Sequence, residues 1–181
     1  MRVELPAVTA TVGEVWVTGG TGRGETPLVA FDAALADAGI HNANLIRVSS
    51  ITPDGVTRHD GEPAAALAQR ITPGAFIPAV YAHAESGLPG EQVYAAVAGM
   101  TLEDGYGINV EDAGVGDDRD AVRDRCTAML EEMASTRDRT PTADIWLRYE
   151  SAQVPPEGTV TSAVAALLYG SLSRGDTRYA D

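Results

Sequence analysis

The chain of 181 residues and 18.9 kDa fits one globular domain, 1–181, long enough to bury roughly two thirds of its unfolded surface. Its 26 acidic residues outweigh 13 cations, giving a net charge of −13, and every cation is an arginine. A chain without lysine forms no internal lysine Schiff base, which excludes ordinary pyridoxal-phosphate (PLP) enzymes, and it lacks the P-loop cation; its charge sign argues against nucleic acid and anionic membrane as partners.

Val12, Val15, Trp16 and Val17 predict a strand over 12–18 that runs into the glycine-rich stretch Gly19 to Gly24. That stretch has the glycine spacing of a phosphate cradle, but Glu25 stands where the lysine belongs, so a flexible turn is expected and nucleotide binding is not. Thr26-Pro27 opens a helix over about 27–38 with Leu28, Phe31, Leu35 and Ala38 as its apolar row and Gly39 behind it; Asp32 borders that row. Asn44 to Ile51 reads as one strand, carrying Ser49 and Ser50 near its end and stopping at the turn Thr52-Pro53-Asp54-Gly55. Phe76 to Ala84 and Gln92 to Thr101 are further strands; Pro78 puts the first at an edge or a bulge, and the alanines of the second would also suit a helix. Gly107 to Asp112 is a short strand. Asp117-Asp118 opens the clearest helix, with Val122, Cys126, Met129, Leu130 and Met133 on one face. Ile145, Leu147 and Tyr149 alternate in the next strand, Val160 to Tyr169 is apolar, and the polar tail 171–181 is expected to be flexible.

This order predicts an α+β fold, a four-layer αββα sandwich built from two strand-helix-strand-strand halves. Ala95, Ala96, Ala98, Gly99, Ala163, Ala165 and Ala166 are small for core strands, so the two sheets are expected to pack closely with helices outside them. Cys126 is alone, which excludes an intrachain disulfide and a cysteine metal cluster and suggests a reducing compartment. His41, His59 and His83 lack ligand or triad spacing, so no metal is expected. The first residues lack a signal-peptide pattern, and no apolar run approaches the ~20 residues that cross a bilayer, so a soluble, cytoplasmic protein is expected. The lysine-free acidic composition suggests a salt-rich cytoplasm, where screening relieves self-repulsion.

On the residues alone, Ser49-Ser50 reads as an ordinary strand end, Asp32 as a solvated helix-edge acid, Asn44 as a strand-start asparagine and Glu111 as an exposed strand-edge acid. The dense run Gly24-Glu-Thr-Pro-Leu28, Ala30-Phe-Asp32, Ala34-Leu35, Ala38-Gly-Ile40, Asn42, Asn44-Leu-Ile-Arg47 and Ser49-Ser-Ile51 with Pro53 resembles the pyruvoyl-dependent arginine decarboxylase family. Downstream, Gly74 to Tyr81, Leu88-Pro-Gly-Glu91, Gly107 to Glu111, the second helix and the alanine-rich last strand follow in order, up to about Leu172. The acidic, lysine-free surface and the polar C-terminal extension depart from the family pattern and suggest a haloarchaeal-like member.

The resemblance implies that the chain cuts itself between Ser49 and Ser50 into pieces 1–49 and 50–181, the second beginning with a pyruvoyl group made from Ser50. No PLP and no metal are then required. The resemblance further implies that L-arginine loses CO₂ to become agmatine, a polyamine precursor. Glu111 matches the family's catalytic glutamate, with Asp112 a competing register; Asn44 matches an active-site asparagine; Asp32 matches the acid that reads the guanidinium; Ser49, as a new C-terminus, touches substrate. A homo-oligomer, a trimer of cleaved pairs with sites between neighbours, is implied in the same way. The alternatives are a pyruvoyl decarboxylase for another amino acid and a non-cleaving oligomeric binding protein of the same fold.

Overall fold

A computed structural model describes residues 12–142 and 145–172. In chain order these residues form β1 (Glu14–Gly24), α1 (Pro27–Asp37), β2 (Asn44–Arg47), β3 (Ile51–Thr52), β4 (Thr57–Asp60), α2 (Ala64–Arg70), β5 (Phe76–Ser86), β6 (Gln92–Thr101), β7 (Gly107–Val115), α3 (Arg119–Thr136), β8 (Trp146–Gln153) and β9 (Val160–Tyr169). One sheet has five strands in the order β2-β5-β9-β1-β4 and the other has four in the order β3-β7-β6-β8. The β1–β4 and β2–β5 pairs are parallel and the rest antiparallel.

Period-two alternation sends neighbouring residues into different layers. Trp16, Val164, Ala166 and Leu168 pack under α1, with Ala34, Leu35 and Ala38 above them. Their neighbours Val15, Val17, Ala163, Ala165 and Leu167 turn inward to meet Val93, Ala95 and Val97 of β6 between the sheets. Tyr94, Ala96, Ala98, Ile108 and Val110 face the other way, onto Val122, Cys126, Leu130 and Ala134 of α3. The result is the expected mixed α+β fold with helices outside two sheets, and fully buried side chains such as Leu167 and Leu130 each contribute about 1.5–3 kcal/mol. The strand-helix-strand-strand order recurs as β1-α1-β2-β3 and β7-α3-β8-β9, but both runs share out their strands: β9, the last, lies in the first sheet between β5 and β1.

The glycine-rich stretch is not a turn. Gly19 to Gly24 continue β1, and the missing side chains of Gly20, Gly22 and Gly24 let α1 lie directly on the strand. A Cβ on Gly20 would stand 2.5 Å from the Ala38 nitrogen and one on Gly24 2.6 Å from the Ala30 nitrogen, while one on Gly22 would collide with the backbone of Ala33 and Ala34. The buried stripe of α1 is accordingly Ala30, Ala34 and Leu35; Leu28, expected inside, is 75% exposed. Thr26 caps the helix by accepting from the Val29 N–H, and Gly39 follows its end at φ +75°.

Three other expectations change. The strand read over 44–51 is two strands in different sheets, β2 and β3. Pro78 lies in β5, inside the sheet and not at its edge, and is tolerated because the first β5–β9 pair is Ala79 with Leu168. The short β4 carries no apolar residue, and α2, though rich in alanine, spans only 7 residues, too few to show a helical period. Of the tail, residues 173–181 lie outside the described residues, and Leu172 is buried against the α1 layer.

Candidate active site

Ser49 and Ser50 occupy the crossover from β2 to β3, where the chain leaves one sheet for the other. Ser50 has φ +31°, a left-handed conformation that breaks the strand and costs a non-glycine residue on the order of 1–3 kcal/mol. Its N–H donates to the Val48 carbonyl at 3.2 Å, closing a three-residue turn. Its carbonyl oxygen accepts from the Asn109 N–H at 2.9 Å and from Asn109 Nδ2 at 3.2 Å. Its Oγ donates to Glu111 Oε2 at 3.4 Å.

Asn109 and Glu111 are two apart on β7 and so share its inward face. Asn109 is 2% exposed, and its Nδ2 also reaches Thr52 Oγ1 at 2.9 Å and the Tyr169 hydroxyl at 3.1 Å. Burial pushes the Tyr169 phenol above its ordinary pKa, hydrogen bonds with Thr52 and Asn109 oppose that rise, and the charge of Glu111 adds to it. At the end of β2, Arg47 pairs with Glu111 Oε1 at 3.0 Å and lies over the Tyr81 ring at 4.4 Å. The second glutamate oxygen is thereby turned toward Ser50.

A serine hydroxyl donating to a carboxylate, next to a peptide held in an unfavourable dihedral, is the arrangement that an attack on the preceding carbonyl requires. The model of the pyruvoyl-dependent arginine decarboxylase family matches residues 14–174. This chain belongs to that family. It is 39% identical over 126 residues to the pyruvoyl-dependent arginine decarboxylase of Methanothermobacter thermautotrophicus, covering 70% of this chain and 78% of the relative. It is 36% identical over 152 residues to that of Methanopyrus kandleri, covering 83% and 91%. A solved structure of pyruvoyl-dependent histidine decarboxylase aligns with a TM-score of 0.47 at 21% identity, over 56% of this chain and 53% of that one.

The pyruvoyl-dependent arginine decarboxylase family takes its name from a pyruvoyl group, and the residues at the crossover fit one made from Ser50. The hydroxyl has a proton acceptor, the peptide is strained and the carbonyl that would flank the ketone is held by two donors. Of the family-matched residues, the fold brings Ser50 and Glu111 together, with Ser49 exposed beside them. Asp112, the competing register, faces the opposite layer, where Arg125 binds its Oδ2 through Nη2 at 2.7 Å and Nε at 3.0 Å.

Asn44 and Asp32 are not brought to Ser50 within this chain. Asn44 Nδ2 donates to the Gly74 carbonyl at 2.9 Å, and Asn44 borders a groove with Phe31, Ile46, Phe76 and Tyr81. Asp32 is exposed on α1 and pairs with no cation among the described residues. Asn109, Thr52, Tyr169 and the Glu111 partner Arg47 complete the site, and no motif in the sequence marks them as functional. One signal was present for Asn109: a polar residue between Ile108 and Val110, two before Glu111, has to point where Glu111 points.

Proposed function

We propose that this chain cuts itself between Ser49 and Ser50 and then decarboxylates L-arginine to agmatine. The observation that carries the reading is the left-handed Ser50 with its Oγ 3.4 Å from Glu111 Oε2. Glu111 Oε2 takes the Ser50 Oγ proton as Oγ attacks the Ser49 carbonyl carbon; the C–N bond breaks, the nitrogen gains the proton and an ester joins the two residues. Glu111, a free carboxylate again once the nitrogen has its proton, then takes the Ser50 Cα proton, and the electron pair left behind expels the Ser49 carboxylate from Cβ. Water then converts the dehydroalanine to a ketone and releases ammonia, leaving chains 1–49 and 50–181.

The pyruvoyl group supplies a ketone for the substrate amine and a sink for the electrons released with CO₂. Glu111, oriented by Arg47, is the acid assigned to return a proton to the substrate α-carbon. The new carboxylate of Ser49 and the uncommitted Oδ1 of Asn44 are available to the substrate head, and the exposed Asp32 carboxylate matches the planar donor fork of a guanidinium. Among the described residues Asp32 and Asn44 make no hydrogen bond to Ser50 or Glu111, and these roles assume a homo-oligomer, read as a trimer, with sites between neighbours. The exposed Ile46 and Phe76 in the Asn44 groove, with Leu28 and Val29 exposed on α1, support such an interface. The protein is read as a cytoplasmic one suited to concentrated salt; a thermal midpoint that fails to rise between 0.1 and about 1 M salt, where the Debye length falls to about 3 Å, would count against the second point.

Denaturing intact-mass measurement tests the cut before any substrate is assumed. Scaling 18.9 kDa by the lengths of the two pieces gives roughly 5 and 14 kDa, the larger resisting N-terminal sequencing because a ketone replaces its amine. A single 18.9 kDa species, stable on incubation, overturns the proposal.

A further inference from the structure

We infer that Asn109 stabilises the charge that develops on the Ser50 carbonyl oxygen during the elimination step of self-cleavage, an inference that rests on the self-cleavage reading. The proton lost in that step passes from Ser50 Cα, which is α to the Ser50 carbonyl, to the Glu111 carboxylate. The electron pair left behind is an enolate with its charge on that oxygen, and it moves on to form the Cα–Cβ double bond as the Ser49 carboxylate departs from Cβ. An amide Cα–H is a weak acid, so the step depends on donors aimed at the oxygen.

Asn109 provides two of them. Its N–H bond at 2.9 Å extends the β3–β7 ladder by one rung beyond the Ile51–Ile108 pair, and its Nδ2 approaches the same oxygen at 3.2 Å. Nδ2 carries two hydrogens but has three acceptors in reach, and Ser50 O is the farthest, behind Thr52 Oγ1 and the Tyr169 hydroxyl. The bond to Ser50 is therefore the one with most to gain when charge arrives, and an interaction that strengthens along the reaction accelerates it. With Asn109 2% exposed, little water competes for these donors. Opposite Asn109 on β6 stands Gly99, and a Cβ there would press on Asn109 Oδ1 and come within 2.6 Å of the Trp146 ring, so the fold keeps that position clear for the amide. The same oxygen persists in the cut chain beside the new ketone.

The test follows the cut by intact mass, with and without hydroxylamine, in the natural chain, Asn109→Ala and the shape-preserving Asn109→Asp. Losing the side-chain donor is expected to slow release of the blocked 50–181 piece by about 10²-fold. The ester still forms, so hydroxylamine cuts the waiting variants into a 1–49 hydroxamate and a 50–181 chain with a free serine amine. That cut also reports a folded crossover. Release of the blocked piece at the natural rate in either variant overturns the inference, as does a full-length chain that hydroxylamine leaves intact although it melts like uncleavable Ser50→Ala. Failure of the natural chain to cut overturns both readings, whereas normal cutting of the natural chain beside equally fast variants removes only the role of Asn109.

Discussion

Two carboxylates sit side by side on β7 and face opposite layers. Glu111 points between the sheets toward Arg47 and Ser50, while Asp112 points at α3 toward Arg125 and Tyr94. Each has an arginine and a hydroxyl for company. At Asp112 the arginine grips one oxygen twice, Tyr94 reaches the other at 3.5 Å, and Asp117 pairs with the same arginine at 2.9 Å, so the cluster closes on itself. At Glu111 the arginine takes one oxygen and leaves the other to a hydroxyl on a strained turn. Under the proposed function, the bond that can react, and not the residue type, is what separates the Asp112 strap from the Glu111 base.

The largest effect that would sharpen this contrast is on Glu111. Glu111→Gln keeps the shape but loses the proton acceptor, and cutting is expected to slow by about 10²–10⁴-fold, read as the fraction of full-length chain over time. A natural rate in that variant would leave Ser50 without an assigned base. Asp112→Asn is expected to leave the rate of cutting unchanged and to lower stability by about 1 kcal/mol, measured by urea unfolding of the Ser50→Ala chain, because the pair is partly exposed and both arginine bonds fall on one oxygen. Arrested cutting in a stably folded Asp112→Asn chain would break the division of labour. The smallest effect concerns Cys126, buried beneath the same cluster: burial pushes its thiol up to about 11, with Asp112 adding to the rise and Arg125 opposing it. Near pH 8 the thiol is therefore uncharged, and it should resist a thiol reagent in the native protein and react faster once Asp112→Asn loosens α3. Equal labelling rates would show that the cluster does not hold α3 down.

Apolar runs ending at turn residues, with alternation at Ile145, Leu147 and Tyr149, made most strands legible in the sequence, and caps made both long helices legible, because these are local properties. Gly20 and Gly22 misled because a glycine that loosens a loop and one that admits a helix look alike until the helix is placed. The break between β2 and β3 was hidden for a similar reason: it depends on the dihedral of Ser50, which neighbouring composition does not reveal. Ser50 and Glu111 were legible through the family pattern, whereas Asn109 and Tyr169 meet Ser50 only through pairings with distant strands. Sequence spacing carries no record of those pairings.

β1 and α1 precede Ser50 in the chain, yet β1 is hydrogen-bonded between β9 and β4, both of which follow it. The proposed cut at the crossover would thus turn the folding of one molecule into the association of two. Before the cut, β1 finds its slot at the cost of closing a loop; after the cut and denaturation, the two pieces must also lose about 4–15 kcal/mol of translational and rotational freedom. Recovery of the cut protein from denaturant becomes second order, slowing with dilution, while the uncut Ser50→Ala chain regains each protomer's fold at a rate independent of concentration. The proposed processing would act as a ratchet, with the native arrangement reached once as a single chain and then kept without the peptide bond that guided it.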